Sequence, residues 1–249
     1  MSKTDNRVVL ITGGAGGMGR AIAARFLEAG AQVAIADLNP KDLGAGMLGI
    51  PSDVTKVADC ERMVRETVAK FGRLDVLVAA AGVWVEGPSD QASEADWDKV
   101  IDVNLKGAFF ANRYAIPALE KTGGVIVNIA SDAGLTGNAG AAVYCASKGG
   151  MVIMTKALAV ELAPRGIRAV AICPGDVETP MLAYQANTFG NGDPAGYYAN
   201  LRKRYPQGAH ARFIQPEEIA ELVYMAASPR LGALTGAAIS FDFGLSAGY

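Results

Sequence analysis

The chain has 249 residues, 51% apolar and 19% charged, which is enough apolar material for one full-sized core in a single domain spanning 1–249. Its 23 Lys and Arg against 25 Asp and Glu leave a net charge of −2, without the basic excess that holds a nucleic-acid backbone. The longest near-continuous apolar run, over 76–85, is short of the roughly 18 to 20 residues that cross a bilayer, so no membrane partner is expected.

Residues 1–7 are polar and lead straight into a strand-like run, which predicts a cytoplasmic protein without a secretion signal. Short β-branched runs then alternate with helical patterns. Strands are predicted over 7–12, 32–36, 47–51, 74–79, 124–130, 167–173 and 238–241. Most are apolar on both faces, as in a parallel sheet covered by helices on each side. The fold class is therefore α/β, a doubly wound parallel sheet of about seven strands. Stripes at helical spacing, such as Ile22, Phe26 and Ala29, Val57, Cys60, Val64, Val68 and Phe71, and Ile219, Leu222, Val223 and Ala226, mark core-facing helices. Between Asp37 and Asp53 the short interval with Pro40 predicts an abbreviated crossover. The segment 178–213 lacks clean periodicity, contains Pro180, Pro194 and Pro206, and is aromatic; it is predicted to be a long loop serving as a substrate lid.

Cys60, Cys145 and Cys173 are far apart with no CxxC spacing, and His210 is the lone histidine. Neither a disulfide framework nor a metal site is expected.

After the first strand comes Thr12-Gly13-Gly14-Ala15-Gly16-Gly17-Met18-Gly19, followed by a helical pattern. A glycine turn between strand and helix lets the backbone approach a pyrophosphate, and the free N–H groups of the helix start attract the anion. Gly14, Gly16 and Gly19 fit GxGxxG, while Gly13, Gly17 and Gly19 fit TGxxxGxG, and the glycine count does not decide between them. Asp37, at the end of the second strand, is placed to accept hydrogen bonds from a ribose diol and to repel a 2′-phosphate. The next residue, Leu38, offers no phosphate clamp, so NAD is the expected cofactor. Asp53 and Val54, after the third strand, are candidate adenine contacts.

Ser131 ends a strand, and Tyr144 and Lys148 follow four residues apart, on one helical face. Interconverting an alcohol and a carbonyl requires a proton donor or acceptor at oxygen, which tyrosine supplies if its pKa of about 10 is lowered toward the working pH by an adjacent ammonium. Lys148 is that ammonium, and it can also bond the nicotinamide ribose. The Ser131 hydroxyl would fix the substrate oxygen.

These features together resemble the short-chain dehydrogenase/reductase family, nearly end to end: the TGxxxGxG turn with Gly13, Gly17, Met18 and Gly19, Asp37, Asp53-Val54, Asp102-Val103-Asn104, Ser131, Tyr144, Lys148 and the stretch from Pro174 to Thr179. The resemblance implies a Rossmann-type fold and a catalytic set of Asn104, Ser131, Tyr144 and Lys148, with Asn104 holding a water that leads from Lys148. It also implies that Pro174, Gly175, Val177 and Thr179 line the nicotinamide. The family's NNAG reads Ala79-Ala80-Ala81-Gly82 here, so only backbone contacts carry over to Ala80 and Gly82. Its VNAxxPG has lost the asparagine, reading Ala169-Val170-Ala171-Ile172-Cys173-Pro174-Gly175.

Gly149-Gly150 interrupts the helix carrying Tyr144 and is expected to face a neighbouring helix. That helix is apolar around much of its circumference, and the family resemblance implies a homotetramer built partly by it. The expected substrate wall, mainly apolar, combines Trp84, Leu135, Asn138, Met181, Leu182 and Tyr184 with Ser131 and Tyr144. Arg202, Lys203, Arg204, His210 and Arg212 read as a solvated charged face. The leading expectation is hydride transfer between NAD(H) and a small or medium secondary alcohol or ketone. The alternatives are an NADPH-dependent 3-oxoacyl-thioester reductase and a non-catalytic NAD-sensing protein.

Overall fold

The apolar runs form one parallel sheet in the computed structural model of the chain, which describes residues 5–41, 43 and 46–247. The strands are β1 (Val8–Thr12), β2 (Gln32–Asp37), β3 (Met47–Pro51), β4 (Val76–Ala79), β5 (Val125–Ile129), β6 (Arg168–Pro174) and β7 (Ala238–Phe241). They lie in the order β3-β2-β1-β4-β5-β6-β7, and their ends differ from the predicted ones by at most two residues. The helices are α1 (Gly17–Glu28), α2 (Val57–Phe71), α3 (Glu94–Ile101), α4 (Gly107–Glu120), α5 (Ala142–Leu162), α6 (Pro180–Phe189), α7 (Pro194–Arg202) and α8 (Pro216–Ala226). None of the described helices is long and apolar enough to cross a membrane.

Alternate residues of each strand point to opposite faces, and in β1, β2, β4, β5 and β6 both faces are buried, while the edge strands β3 and β7 are partly exposed. Val9, Ile11, Val33 and Ile35 pack with Ile22 and Phe26 of α1 and Ile219 and Val223 of α8. Val8, Leu10, Ala34 and Leu77 pack on the other side with Met63 of α2, Ala115 of α4 and Leu162 of α5. Each large apolar side chain removed from water in this way contributes roughly 1.5–3 kcal/mol. The chain moves outward in opposite directions from β1 and β4, so a crevice opens at their C-terminal ends. Thr12 bridges that point: its hydroxyl accepts from the Ala80 and Ala81 N–H groups at 3.2 and 3.3 Å.

No helix separates β2 from β3 among the described residues, in keeping with the abbreviated crossover; residues 42, 44 and 45 of that interval lie outside the described ones. The expected loop over 178–213 is mostly helical. Thr179 caps α6 with Pro180 in its first turn, and Asp193 caps α7 with Pro194 in its first turn. Prolines that read as breakers therefore begin helices, because the first turn has no use for their missing N–H.

The glycine pair of α5 divides. A Cβ on Gly150 would sit 2.9 Å from Leu105 Cδ2, between α3 and α4, whereas one on Gly149 would meet only the Gly134 carbonyl at an ordinary 3.8 Å. The expected helix contact holds for Gly150 and not for Gly149. The outer face of α5 leaves Ile153 and Val160 exposed.

Beneath α4 and α5 lies a fully buried polar chain. Asn112 Nδ2 donates to Asn128 Oδ1 (3.1 Å), Asn128 Nδ2 to Thr155 Oγ1 (2.9 Å), and Thr155 Oγ1 to the Met151 carbonyl (2.7 Å). Removing the central member orphans a donor and an acceptor out of reach of water. Asn128→Ala is expected to cost about 2–4 kcal/mol, lowering the melting temperature by roughly 4–16 °C in a thermal scan.

Candidate active site

The glycine turn occupies the crevice. Gly13 and Gly17 have φ of +66° and +37°, a region that side chains resist. A Cβ on Gly13 would stand 2.7 Å from Ala81 Cα, and one on Gly19 would collide with the Gly13 carbonyl oxygen. A Cβ on Gly14 would also be crowded, 2.7 Å from Ile35 Cγ2, while one on Gly16 would meet nothing within 4 Å. The turn thus needs Gly13 and Gly19 for close backbone approach and leaves the start of α1, which lacks a side-chain cap, open to an anion.

A groove runs from this turn past Met18 and Asp37 to Ala80, Gly82 and Thr179, and an adjoining hollow is walled by Asp37, Leu38, Asp53 and Val54. Asp37 Oδ2 accepts from the Ala15 N–H at 3.1 Å, which fixes the carboxylate beside the turn. Asp53 Oδ1 accepts from the Thr55 N–H and hydroxyl, closing a turn before α2. The uncapped N–H groups, the bare glycine floor and the carboxylate at the far wall fit a nicotinamide dinucleotide.

Ser131 and Tyr144 line a cavity of about 350 Å³ that meets the groove at Met18 and Thr179. Ser131 starts a short turn after β5, and its hydroxyl donates to Asp132 Oδ1 at 2.7 Å. Tyr144 is buried in the first turn of α5, with its ring 4.3 Å from that of Trp84. One helical turn on, Lys148 is buried and donates from Nζ to the Ile129 carbonyl at 2.8 Å. Burial pushes the Lys148 ammonium down to about 8. It also pushes the Tyr144 phenol upward, against the opposing hydrogen bonding with Ser131. In the chain alone the loss of hydration thus acts on Tyr144 in the direction opposite to the expected acidification by Lys148.

Asn104 lies in a π-helical turn, Asp102–Lys106, rather than in a regular helix: the Gly107 N–H reaches back five residues to the Asp102 carbonyl. Its amide accepts from the Val83 N–H (2.8 Å) and donates to the Val83 carbonyl (3.0 Å) and Ser147 Oγ (3.2 Å). These bonds tie down the strand end whose own amides are replaced by Ala79 and Ala80. A Cβ on Gly82 would fall 3.5 Å from Asn104 Oδ1 and 3.7 Å from Lys148 Nζ, so the glycine keeps open the space they flank.

Pro174, Gly175, Val177 and Thr179 line the cavity with Trp84, Asn138, Met181 and Leu182. Leu135 and Tyr184 do not: both are exposed, Tyr184 because it lies two residues from Leu182 and so turns to the other side of α6. The wall is also more polar than expected, since Glu86, Asp132, Asp176 and Gln185 line it. Asp132 and Asp176 directly follow motif residues, and Gln185 shares a helical face with Met181 and Leu182 once 180–189 is recognised as a helix. Arg204, expected in a solvated face, reaches the cavity and donates to Asn138 Oδ1 at 2.6 Å, whereas Arg212 pairs with Glu218. Glu86 Oε2 accepts from the Trp84 indole (3.1 Å) and the Tyr197 hydroxyl (2.8 Å), linking α7 to the ring packed at a tilt against Tyr144.

A family profile described as short chain dehydrogenase matches residues 7–188. The chain is 37% identical over 251 residues to the meso-2,3-butanediol dehydrogenase of Serratia marcescens, covering 98% of this chain and 96% of that one. Among solved structures, the aldohexose dehydrogenase of Thermoplasma acidophilum superposes with a TM-score of 0.91 at 30% identity, over 100% of this chain and 97% of that one. The 3-ketoacyl-(acyl-carrier-protein) reductase of Brucella melitensis, solved with NADH, gives 0.86 at 32% identity, over 98% and 100%.

Proposed function

The chain belongs to the short chain dehydrogenase family and is an oxidoreductase acting on CH–OH groups; from that premise we propose that it interconverts a small or medium secondary alcohol and its ketone with NAD as cofactor. The observation that carries this reading is the meeting of Ser131 and Tyr144 at one cavity, with Lys148 buried one helical turn beyond Tyr144, where the cavity joins a glycine-floored groove ending at Asp37. When bound, the nicotinamide supplies or accepts the hydride. Gly13, Gly17, Met18 and Gly19 hold its pyrophosphate, Asp37 and Leu38 its adenosine ribose, and Asp53 and Val54 the adenine. Ala80, Gly82, Pro174, Gly175, Val177 and Thr179 hold the nicotinamide half.

Tyr144 is the general acid and base in this reading, passing the proton at the substrate oxygen, and Ser131 bonds that same oxygen. The Ser131 hydroxyl now given to Asp132 turns to the substrate when it arrives. Lys148 stabilises the phenolate and bonds the nicotinamide ribose. Asn104 and Lys148 flank the space that Gly82 leaves, where a water continues the proton path. The segment 178–213 acts as the lid, with Met181 and Leu182 against substrate.

The exposed Ile153 and Val160 support a homotetramer in which α5 is covered by a partner subunit. The free state of Cys60, Cys145 and Cys173 supports a reducing, cytoplasmic setting.

Fluorescence titration with both reduced coenzymes, followed by an alcohol and ketone turnover screen, tests the proposal. NADH is expected to bind at least about tenfold more tightly than NADPH, because the Asp37 carboxylate faces the 2′ position. Tighter NADPH binding with turnover of 3-oxoacyl thioesters would favour the reductase alternative, and NAD binding without any turnover would favour a sensor.

A further inference from the structure

The cavity beside Ser131 and Tyr144 carries polar groups that proton transfer at the substrate oxygen does not use. Gln185 is only 8% exposed, lies on the inner face of α6 and lines the cavity, yet its amide has no hydrogen-bond partner among the described residues. An amide that faces the cavity without a protein partner gains from any ligand group that both gives and accepts a hydrogen bond. Asp176 shares the same lining. Tyr205 donates its hydroxyl to Asp176 Oδ2 at 3.0 Å and accepts the Asp176 N–H at 2.7 Å, which leaves Oδ1 without a protein donor. Asp132, next to Ser131, repels Asp176 through the cavity. With Glu86, three carboxyl groups face the space, against one guanidinium, Arg204, which is engaged by Asn138.

We propose that Gln185 and Asp176, with Asp132, form a recognition site for a second hydroxyl group of an uncharged substrate, next to the carbon that is oxidised, and that the same carboxylates turn away substrates carrying a carboxylate. The proposal rests on the reading of Ser131, Tyr144 and Lys148 as the reacting set. A hydroxyl donates to Asp176 and accepts from the Gln185 amide, so one group satisfies both. A carboxylate offers only acceptors, which the amide can use but the aspartates cannot. An apolar substituent leaves the Gln185 amide and Asp176 Oδ1 unpartnered. The substrate class is therefore a vicinal diol or a hydroxyketone rather than a simple alcohol or a hydroxy acid.

Three cyclohexyl carbinols that differ only in the group on the neighbouring carbon test this: cyclohexanol, cyclohexane-1,2-diol and 2-hydroxycyclohexanecarboxylate. Their affinities are measured by calorimetry on Tyr144→Phe protein saturated with oxidised coenzyme, so that no turnover intervenes, and their oxidation is measured separately on the unaltered enzyme. The diol is expected to bind about tenfold more tightly than either other ligand. Gln185→Leu is expected to reduce the ratio of diol to cyclohexanol affinity to about one. Asp176→Asn is expected to strengthen binding of the carboxylate about tenfold, a gain that misfolding does not mimic. A carboxylate bound as tightly as the diol, no diol preference, or a ratio unmoved by Gln185→Leu overturns the site. The expected binding order together with no oxidation of any of the three supports the site and overturns instead the reading of the reacting set.

Discussion

Tyr144→Phe is expected to lower kcat about 10³-fold, with coenzyme affinity and melting temperature close to those of the unaltered protein. The change deletes one oxygen. The phenylalanine ring keeps its tilted contact with Trp84 and its place in the first turn of α5, so loss of rate reports loss of a proton-transfer group and not of packing. The pH dependence sharpens the test. Burial raises the Tyr144 phenol above its ordinary value of about 10 and lowers the Lys148 ammonium to about 8. Alcohol oxidation needs the phenolate, and kcat/KM should climb with pH as Tyr144 gives up its proton; the phenylalanine variant should lose that climb. Lys148 also bears on stability. Its value in the fold lies below the unfolded one, so the buried ammonium is penalised in full below about pH 8, and the penalty fades as pH rises toward the unfolded value of about 10.5. A phenylalanine variant that kept a tenth of the rate would refute Tyr144 as the acid and base.

The second large effect concerns coenzyme choice. Asp37→Ser is expected to weaken NAD binding by about 10- to 100-fold, the worth of hydrogen bonds to a charged acceptor, while NADP binding improves. Asp37 stands at the end of β2 with one oxygen pinned by the Ala15 N–H, so its charge is held in place by the same turn that approaches the pyrophosphate. Next to it Leu38 is exposed, and the turn from Thr12 to Gly19 contains no Lys or Arg to welcome a second phosphate. The ratio of kcat/KM for the two coenzymes, measured before and after the change, is the readout. A ratio that stays put would remove Asp37 from coenzyme selection.

Much of the architecture was legible because strands buried on both faces leave a simple trace: unbroken apolar runs of five or six residues, separated by amphipathic stripes. The groove was legible for a related reason, since strand, glycine turn and helix must be contiguous to work. What the sequence concealed depends on phase and on distance. Pro180 and Pro194 looked like interruptions until the capping Thr179 and Asp193 were seen beside them, and without a helix there the shared face of Met181, Leu182 and Gln185 could not be drawn. Tyr184 was misplaced for the same reason. Glu86 meets Tyr197, and Asn138 meets Arg204, across more than sixty residues of chain, and no local pattern announces either pair. The desolvation of Tyr144 was not legible, because spacing reports an adjacent charge and is silent on how much water is lost.

The widened turn over Asp102–Lys106 makes the length of this helical stretch as constrained as its composition. Excising a single residue there would restore a regular backbone with α3 and α4 still nearly in register, because the wide turn is what absorbs the extra residue. The Asn104 amide, which the wide turn carries, would be turned away and leave the Val83 peptide groups without their partner. Improved local regularity would thus produce a poorer enzyme, so shortened homologues of this segment should be rarer than shortened loops.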